Sequence, residues 1–249
     1  MQNVTIPEGV LTCLSRGNRN STKPAIVLLH GIQGTASIWL PVMDMLSDDR
    51  WVVAPNLRGR AGSYSPDLAS DYELTDFAGD LQAVLDHLPA PVVLVGWSMG
   101  SLVALEYLRR YGTQRISQLA LVSSTPCIAT TGGQDAMWFQ GDTTEALALN
   151  AAERANRLGL VETASDIAVA GSWLSVKAAD YREILPEIGL PTLILHGEDD
   201  PDCPVAHAKV MADALPGAHL RLWPGCGHVP MAHDPVAFVK ELDAFLASA

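Results

Sequence analysis

Short apolar runs alternate along the chain with stretches whose apolar residues recur every three or four positions. The runs at 25–29, 51–54, 92–95, 119–122 and 192–195 are rich in β-branched residues and bounded by Pro, Gly, His or Ser. Such runs predict strands buried on both faces of a sheet. Between them, residues 76–88 set Phe77, Leu81, Val84, Leu85 and Leu88 on one stripe, the pattern of a helix packed along one side. Residues 102–111, 205–215 and 235–246 read the same way. Strands alternating with helices predict an α/β fold class, a mostly parallel sheet with helices on both faces.

One region breaks the alternation. From about 126 to 187 the chain is Ala-rich and offers no strand, while 143–158 and 161–170 predict helices. This region also carries Trp138, Phe139 and Trp173. Helices with large apolar side chains, inserted between two core strands, predict a lid (126–187) on a core of 1–125 and 188–249. The plainer alternative is a helical excursion packed on the sheet.

Composition narrows the function classes. In 249 residues, 48% hydrophobic and 18% charged, there is ample material for a core, which excludes a disordered chain. The formal charge of −12, from 16 Lys+Arg and 28 Asp+Glu, argues against nucleic acid and against an anionic membrane surface as partners. Cys13, Cys127, Cys203 and Cys226 form no C-x-x-C pair, so thiols in a reducing compartment are expected. The first residues lack the basic and apolar regions of a signal peptide. Every apolar run falls short of the ~18 residues that cross a bilayer. A cytoplasmic protein without a membrane partner is the expectation.

The strongest local signal is Gly96-Trp97-Ser98-Met99-Gly100, which follows a predicted strand and precedes a predicted helix. A serine on so tight a turn is held in a strained backbone conformation with its hydroxyl exposed above the sheet. The two glycines let the chain pass close to its neighbours. A nucleophilic serine needs a base, and the base needs an orienting acid. Among seven histidines, His228 lies in the loop Gly225-Cys226-Gly227-His228-Val229-Pro230 after a short strand at 220–222, where a catalytic imidazole can be presented. His30 sits beside Gly31 and suggests a turn role; His87, His207, His219 and His233 lie on or beside predicted helices and strand edges.

The acid is expected where the strand at 192–195 ends. Asp200 is favoured, with Asp199 and Asp202 as alternatives. His196, Asp199, Asp202 and Cys203 could instead form a metal site, but no second ligand cluster supports it. Metal and cofactor are therefore both expected to be none. An oxyanion needs two N–H donors. The amide of Met99, after the serine, is one. The amide of Ile32, in the loop His30-Gly31-Ile32-Gln33-Gly34, is the other, with Gln33 second.

Taken together, these motifs resemble the α/β-hydrolase family nearly end to end. His30-Gly31 with Gly34, Arg58-Gly59 with Gly62-Ser63, the Ser98 elbow, Gly197 through Asp200 to Pro204, and Gly227-His228 stand in the family's order, as do Ser, Asp and His. Within the family the Gly-Trp-Ser-Met-Gly elbow is similar to that of pimeloyl-carrier-protein methyl ester esterases. The stretch from Ser98 to Pro126 is similar to cofactor-free esterases and perhydrolases. The resemblance implies a serine carboxylesterase with Ser98, Asp200 and His228 as its triad and a small-molecule ester, carrier-linked in some relatives, as its substrate. Trp97, Trp138, Phe139, Trp173 and Ile32 are candidates for an apolar acyl pocket. The same triad also serves thioesterases, lactonases and C–C hydrolases or lyases, and the fold serves non-catalytic ligand receptors. Oligomeric state is not written in the sequence.

Overall fold

The computed structural model describes residues 2–128, 139–141 and 143–248. Eight strands form one sheet: β1 (Gln2–Ile6), β2 (Gly9–Arg16), β3 (Ile26–Leu29), β4 (Val52–Pro55), β5 (Val92–Trp97), β6 (Ile116–Val122), β7 (Thr192–Gly197) and β8 (His219–Trp223). Their order is β1-β2-β4-β3-β5-β6-β7-β8. The hairpin β1–β2 and the pair β2–β4 are antiparallel, and every later pairing is parallel. The five predicted apolar runs are the strands β3 to β7, and the short strand expected at 220–222 is β8. The edge hairpin adds two that their mixed polarity had hidden: β2 buries Leu11 and Cys13 while most of its other side chains meet solvent.

The helices are α1 (Leu40–Leu46), α2 (Leu74–Asp86), α3 (Met99–Tyr111), α4 (Thr144–Leu158), α5 (Asp166–Ala178), α6 (Val205–Ala214), α7 (Pro230–His233) and α8 (Pro235–Ala247). No helix among the described residues is long and apolar enough to cross a membrane. The strand period of two divides the core. Val27, Leu29, Val92 and Leu94 face α2 and α3, whereas Ile26, Leu28, Val93, Val95 and Trp97 pack with residues of α1 and α8.

Between β6 and β7 the chain carries α4 and α5. The expected helix at 161–170 is displaced to Asp166–Ala178: the Ser165 hydroxyl accepts from the Ala168 amide and starts the helix there, while Val161 stays fully exposed. Residues of both helices, among them Leu147, Ala151, Ala168, Trp173 and Val176, belong to the same buried cluster as α2 and α3.

Candidate active site

Ser98 sits between β5 and α3 with φ 54° and ψ −122°, a conformation that costs a non-glycine residue about 1–3 kcal/mol. Its neighbours impose it. A Cβ on Gly96 would lie 2.5 Å from Gly100 O and from Ser101 N, and one on Gly100 would lie 2.4 Å from Leu29 O. Only glycines let β5, α3 and the end of β3 approach so closely. The Ser101 hydroxyl donates to Gly96 O at 2.6 Å and ties the turn across its base.

Two loops bring partners to this serine. His228, after β8, sets Nε2 3.0 Å from Ser98 Oγ. Its Nδ1–H donates to Asp200 Oδ2, in the turn after β7, at 2.8 Å. The other oxygen, Asp200 Oδ1, accepts the amides of Asp202 and Cys203 at 2.9 Å each. Asp200 and His228 are buried, so this saturation fixes the carboxylate and, through it, the imidazole tautomer. Trp97 Nε1–H donates to His228 O at 2.7 Å, with the two rings 5.5 Å apart.

The other acids of the turn are placed differently. Asp199 is exposed. Asp202 is buried and accepts from Arg154 Nε at 2.8 Å and from Arg157 at 2.9 and 3.0 Å. Burial alone would raise its carboxyl, but Arg157 and Arg154 override that and hold it well below the usual carboxylate range. His196 Nε2–H donates to Cys203 O at 2.6 Å, and burial pushes the Cys203 thiol far up. Asp202 thus spends its carboxylate on two guanidinium groups, the wrong surroundings for a cation. The four residues considered for a metal do not converge. Among the described residues one acid–histidine cluster does, Asp200, Asp202 and His228, and its facing atoms are already bound as described.

The loop after β3 is pinned from behind. His30 Nδ1–H donates to Gly31 O at 2.8 Å, and His30 Nε2 accepts the Leu57 amide at 3.1 Å. Burial, with the positive charge of Arg60, pulls the His30 pKa down to about 3 and keeps the ring neutral. A trans peptide points its N–H opposite its C=O, so pinning Gly31 O aims the Ile32 amide the other way. Among the described residues the amides of Ile32 and Met99 donate to no protein group, and both residues line a narrow apolar cavity, about 390 Å³ with its mouth, that reaches Ser98.

Phe139 and Trp173, 5.2 Å apart between ring centroids, wall this cavity with Leu102 and Val176. Trp138 lies outside the described residues. Trp97 does not line it, contrary to expectation. As the sixth residue of β5 it shares the face of Val93 and Val95, on the far side of the sheet. The period of two made that placement legible. Arg154, on α4, lines the cavity too, its guanidinium 5.3 Å from the Phe139 ring; no local pattern singled it out from the other charged residues of its helix.

Comparison with known proteins adds to this picture. A pimeloyl-(acyl-carrier protein) methyl ester esterase from Nitrosomonas europaea is 29% identical over 89% of this chain and 95% of its own length. Among solved structures, the esterase RhEst1 from Rhodococcus sp. superposes with a TM-score of 0.81 at 25% identity, covering 99% of this chain and 98% of that one. The enol-lactonase from Burkholderia xenovorans has a TM-score of 0.80 at 24% identity over 99% of this chain and 100% of its own, a likeness of fold. The pattern of the alpha/beta hydrolase family matches residues 26–241, most of the chain and every strand of the parallel sheet, and the chain therefore belongs to the alpha/beta hydrolase family.

Proposed function

We propose that this protein hydrolyses a carboxylic ester through an acyl-enzyme on Ser98. The observation that carries the reading is the hydrogen-bonded series Ser98–His228–Asp200, at 3.0 and 2.8 Å, opening on an apolar cavity. Ser98 Oγ attacks the ester carbonyl while its proton passes to His228 Nε2. Asp200 stabilises the resulting imidazolium and holds its orientation. The carbonyl oxygen, now an anion, takes hydrogen bonds from the Ile32 and Met99 amides. The tetrahedral adduct collapses, the C–O bond to the alcohol breaks, and His228 returns the proton to the departing oxygen. Water, deprotonated by His228, then attacks the acyl-enzyme in the same manner and frees the acid and Ser98.

Phe139, Trp173, Leu102 and Val176 suit an apolar acyl group. The esterase relative from Nitrosomonas europaea favours an ester over the thioester, lactone and carbon–carbon substrates that the same triad can serve, and a carrier-linked ester is within this reading. In this reading α4 and α5 form the lid, since Arg154 and Trp173 close the cavity from that side. Four buried free cysteines suit the reducing cytoplasm.

The test is a hydrolysis screen of p-nitrophenyl esters from acetyl to decanoyl, with acyl thioesters and lactones beside them and Ser98→Ala as control. Esters are expected to turn over fastest, and Ser98→Ala to lose about 10⁴- to 10⁶-fold in kcat. A Ser98→Ala protein keeping a tenth of the activity would overturn the nucleophile. A chain inert to every substrate would leave the ligand-receptor reading in its place.

A further inference from the structure

Arg60 is fully buried, yet among the described residues no carboxylate pairs with it. The nearest candidate, Asp80, is taken by the fork of Arg58 at 2.8 and 2.7 Å. What Arg60 touches instead is neutral. One terminal nitrogen, Nη1, donates to Arg58 O at 2.8 Å; the other, Nη2, donates to Ile32 O at 2.6 Å and to the Ser172 hydroxyl of α5 at 2.9 Å. The guanidinium also lies 5.1 Å from the centre of the Phe77 ring. Burying a charge without a counter-ion is costly, and even burial-weakened, with its pKa drawn down to about 9, the group stays protonated at neutral pH.

Its contact with Ile32 explains the expense. Ile32 lies between two peptide planes. His30 and the Gly34 amide hold the carbonyl of the first, Gly31 O, at 2.8 and 3.2 Å. Arg60 holds the carbonyl of the second, Ile32 O. With both planes fixed, the Ile32 amide keeps one direction. The positive charge also stands at the carbonyl of this same residue, close enough for its field to favour an anion at the Ile32 amide. We propose that Arg60 is a positioning residue for the oxyanion hole: it locks the Ile32 peptide and sets beside it a positive charge that no carboxylate pairs with. Through Ser172 the same guanidinium ties the oxyanion loop to α5.

This inference rests on the ester-hydrolase reading, and the test separates the two. Wild type, Arg60→Met and Arg60→Lys are assayed on one p-nitrophenyl ester, with thermal melts as a folding check. Each is also titrated with an alkyl trifluoromethyl ketone, to whose carbonyl carbon the serine oxygen adds, leaving an oxyanion, and with the matching alkyl methyl ketone, which binds without adding. For Arg60→Met, kcat/KM is expected to fall about 10- to 100-fold, short of the loss on deleting a donor itself, with KM within about threefold. Affinity for the trifluoromethyl ketone is expected to fall by the same factor and that for the methyl ketone to hold, with Arg60→Lys recovering part of both losses. Unchanged hydrolysis in a folded variant overturns the inference, as does a hydrolytic loss without a matching loss of trifluoromethyl ketone affinity. Should Arg60→Met not fold, the same pair of readouts on Arg60→Lys decides. A wild type inactive on all esters overturns the function, a different result from equal activity in wild type and variants.

Discussion

Arg154, on α4, donates to Asp202 at 2.8 Å, and the backbone amide of that same Asp202 donates to Asp200 at 2.9 Å. One residue therefore joins a helix that lines the cavity to the turn that holds Asp200. Arg157 closes the same latch, and Arg154 continues it to Gln33 Oε1, at 2.9 Å, in the loop beside Ile32. Asp202→Asn would leave two guanidinium groups short of their buried partner. It is expected to cost about 3 kcal/mol of unfolding free energy, read by urea titration. A loss under ~0.5 kcal/mol would show the latch to be idle.

Asp200→Asn should behave in the opposite way. It keeps shape and burial but offers the imidazole an amide, which favours the wrong tautomer; in a related triad this lowers kcat about 10⁴-fold. The melting temperature is expected to move little, since the amides of Asp202 and Cys203 can still donate to the remaining oxygen. Assayed side by side, the Asp200 variant should be folded and slow, and the Asp202 variant destabilised and less impaired. A reversal of that pattern would shift the acid to position 202.

The elbow glycines allow a steric test. Gly100→Ala puts a Cβ 2.4 Å from Leu29 O, whereas at Gly189 a Cβ meets nothing within 4 Å. Gly100→Ala is expected to cost about 2 kcal/mol or more, with loss of activity as Ser98 is displaced. Gly189→Ala should lie within about 1 kcal/mol of wild type. Equal melting temperatures for the two variants would contradict the close packing of β3 against α3.

Trp173 and Phe139 are expected to set the acyl preference. Trp173→Leu opens the cavity wall next to Ser98. The ratio of kcat/KM for decanoyl to acetyl ester should rise at least about threefold, since each added methylene that finds room contributes on the order of 1 kcal/mol. A ratio unchanged in a folded variant would move the acyl group elsewhere.

Buried histidines predict acid sensitivity. Burial lowers His30 to about 3 and His207 to about 4, and lowers His196 as well. Their folded pKa values lie below the unfolded ~6.5, so between these limits the unfolded chain binds more protons. Stability then rises with pH and is lost as pH falls from about 6.5 towards 4, roughly 2 kcal/mol each for His30 and His207 between pH 7 and 5, with His196 acting in the same direction. Asp80, raised by burial, works in the opposite sense. Urea titrations at pH 7 and 5 measure the balance, and equal stability at both would contradict it.

What the sequence determined by itself is local. A buried strand needs a run such as Val92–Val95, a tight elbow needs Gly96 and Gly100, and a helix needs its stripe; each is a condition on neighbours along the chain. The six parallel strands and the strained position of Ser98 follow from such conditions. Trp97 was legible by the same rule, because the period of two sends it to the face of Val93. The edge hairpin was not, because β2 alternates polar and apolar residues too weakly to stand out. What only the tertiary structure decided is pairing between distant segments. Asp199, Asp200 and Asp202 are chemically alike, and the turn alone sends Asp200 to His228 and Asp202 to Arg154. Arg60 reads as one more loop cation until the fold buries it against Ile32 and Ser172. Hydrogen bonds and ion pairs act through space over about 3 Å, and separation along the chain does not encode that distance.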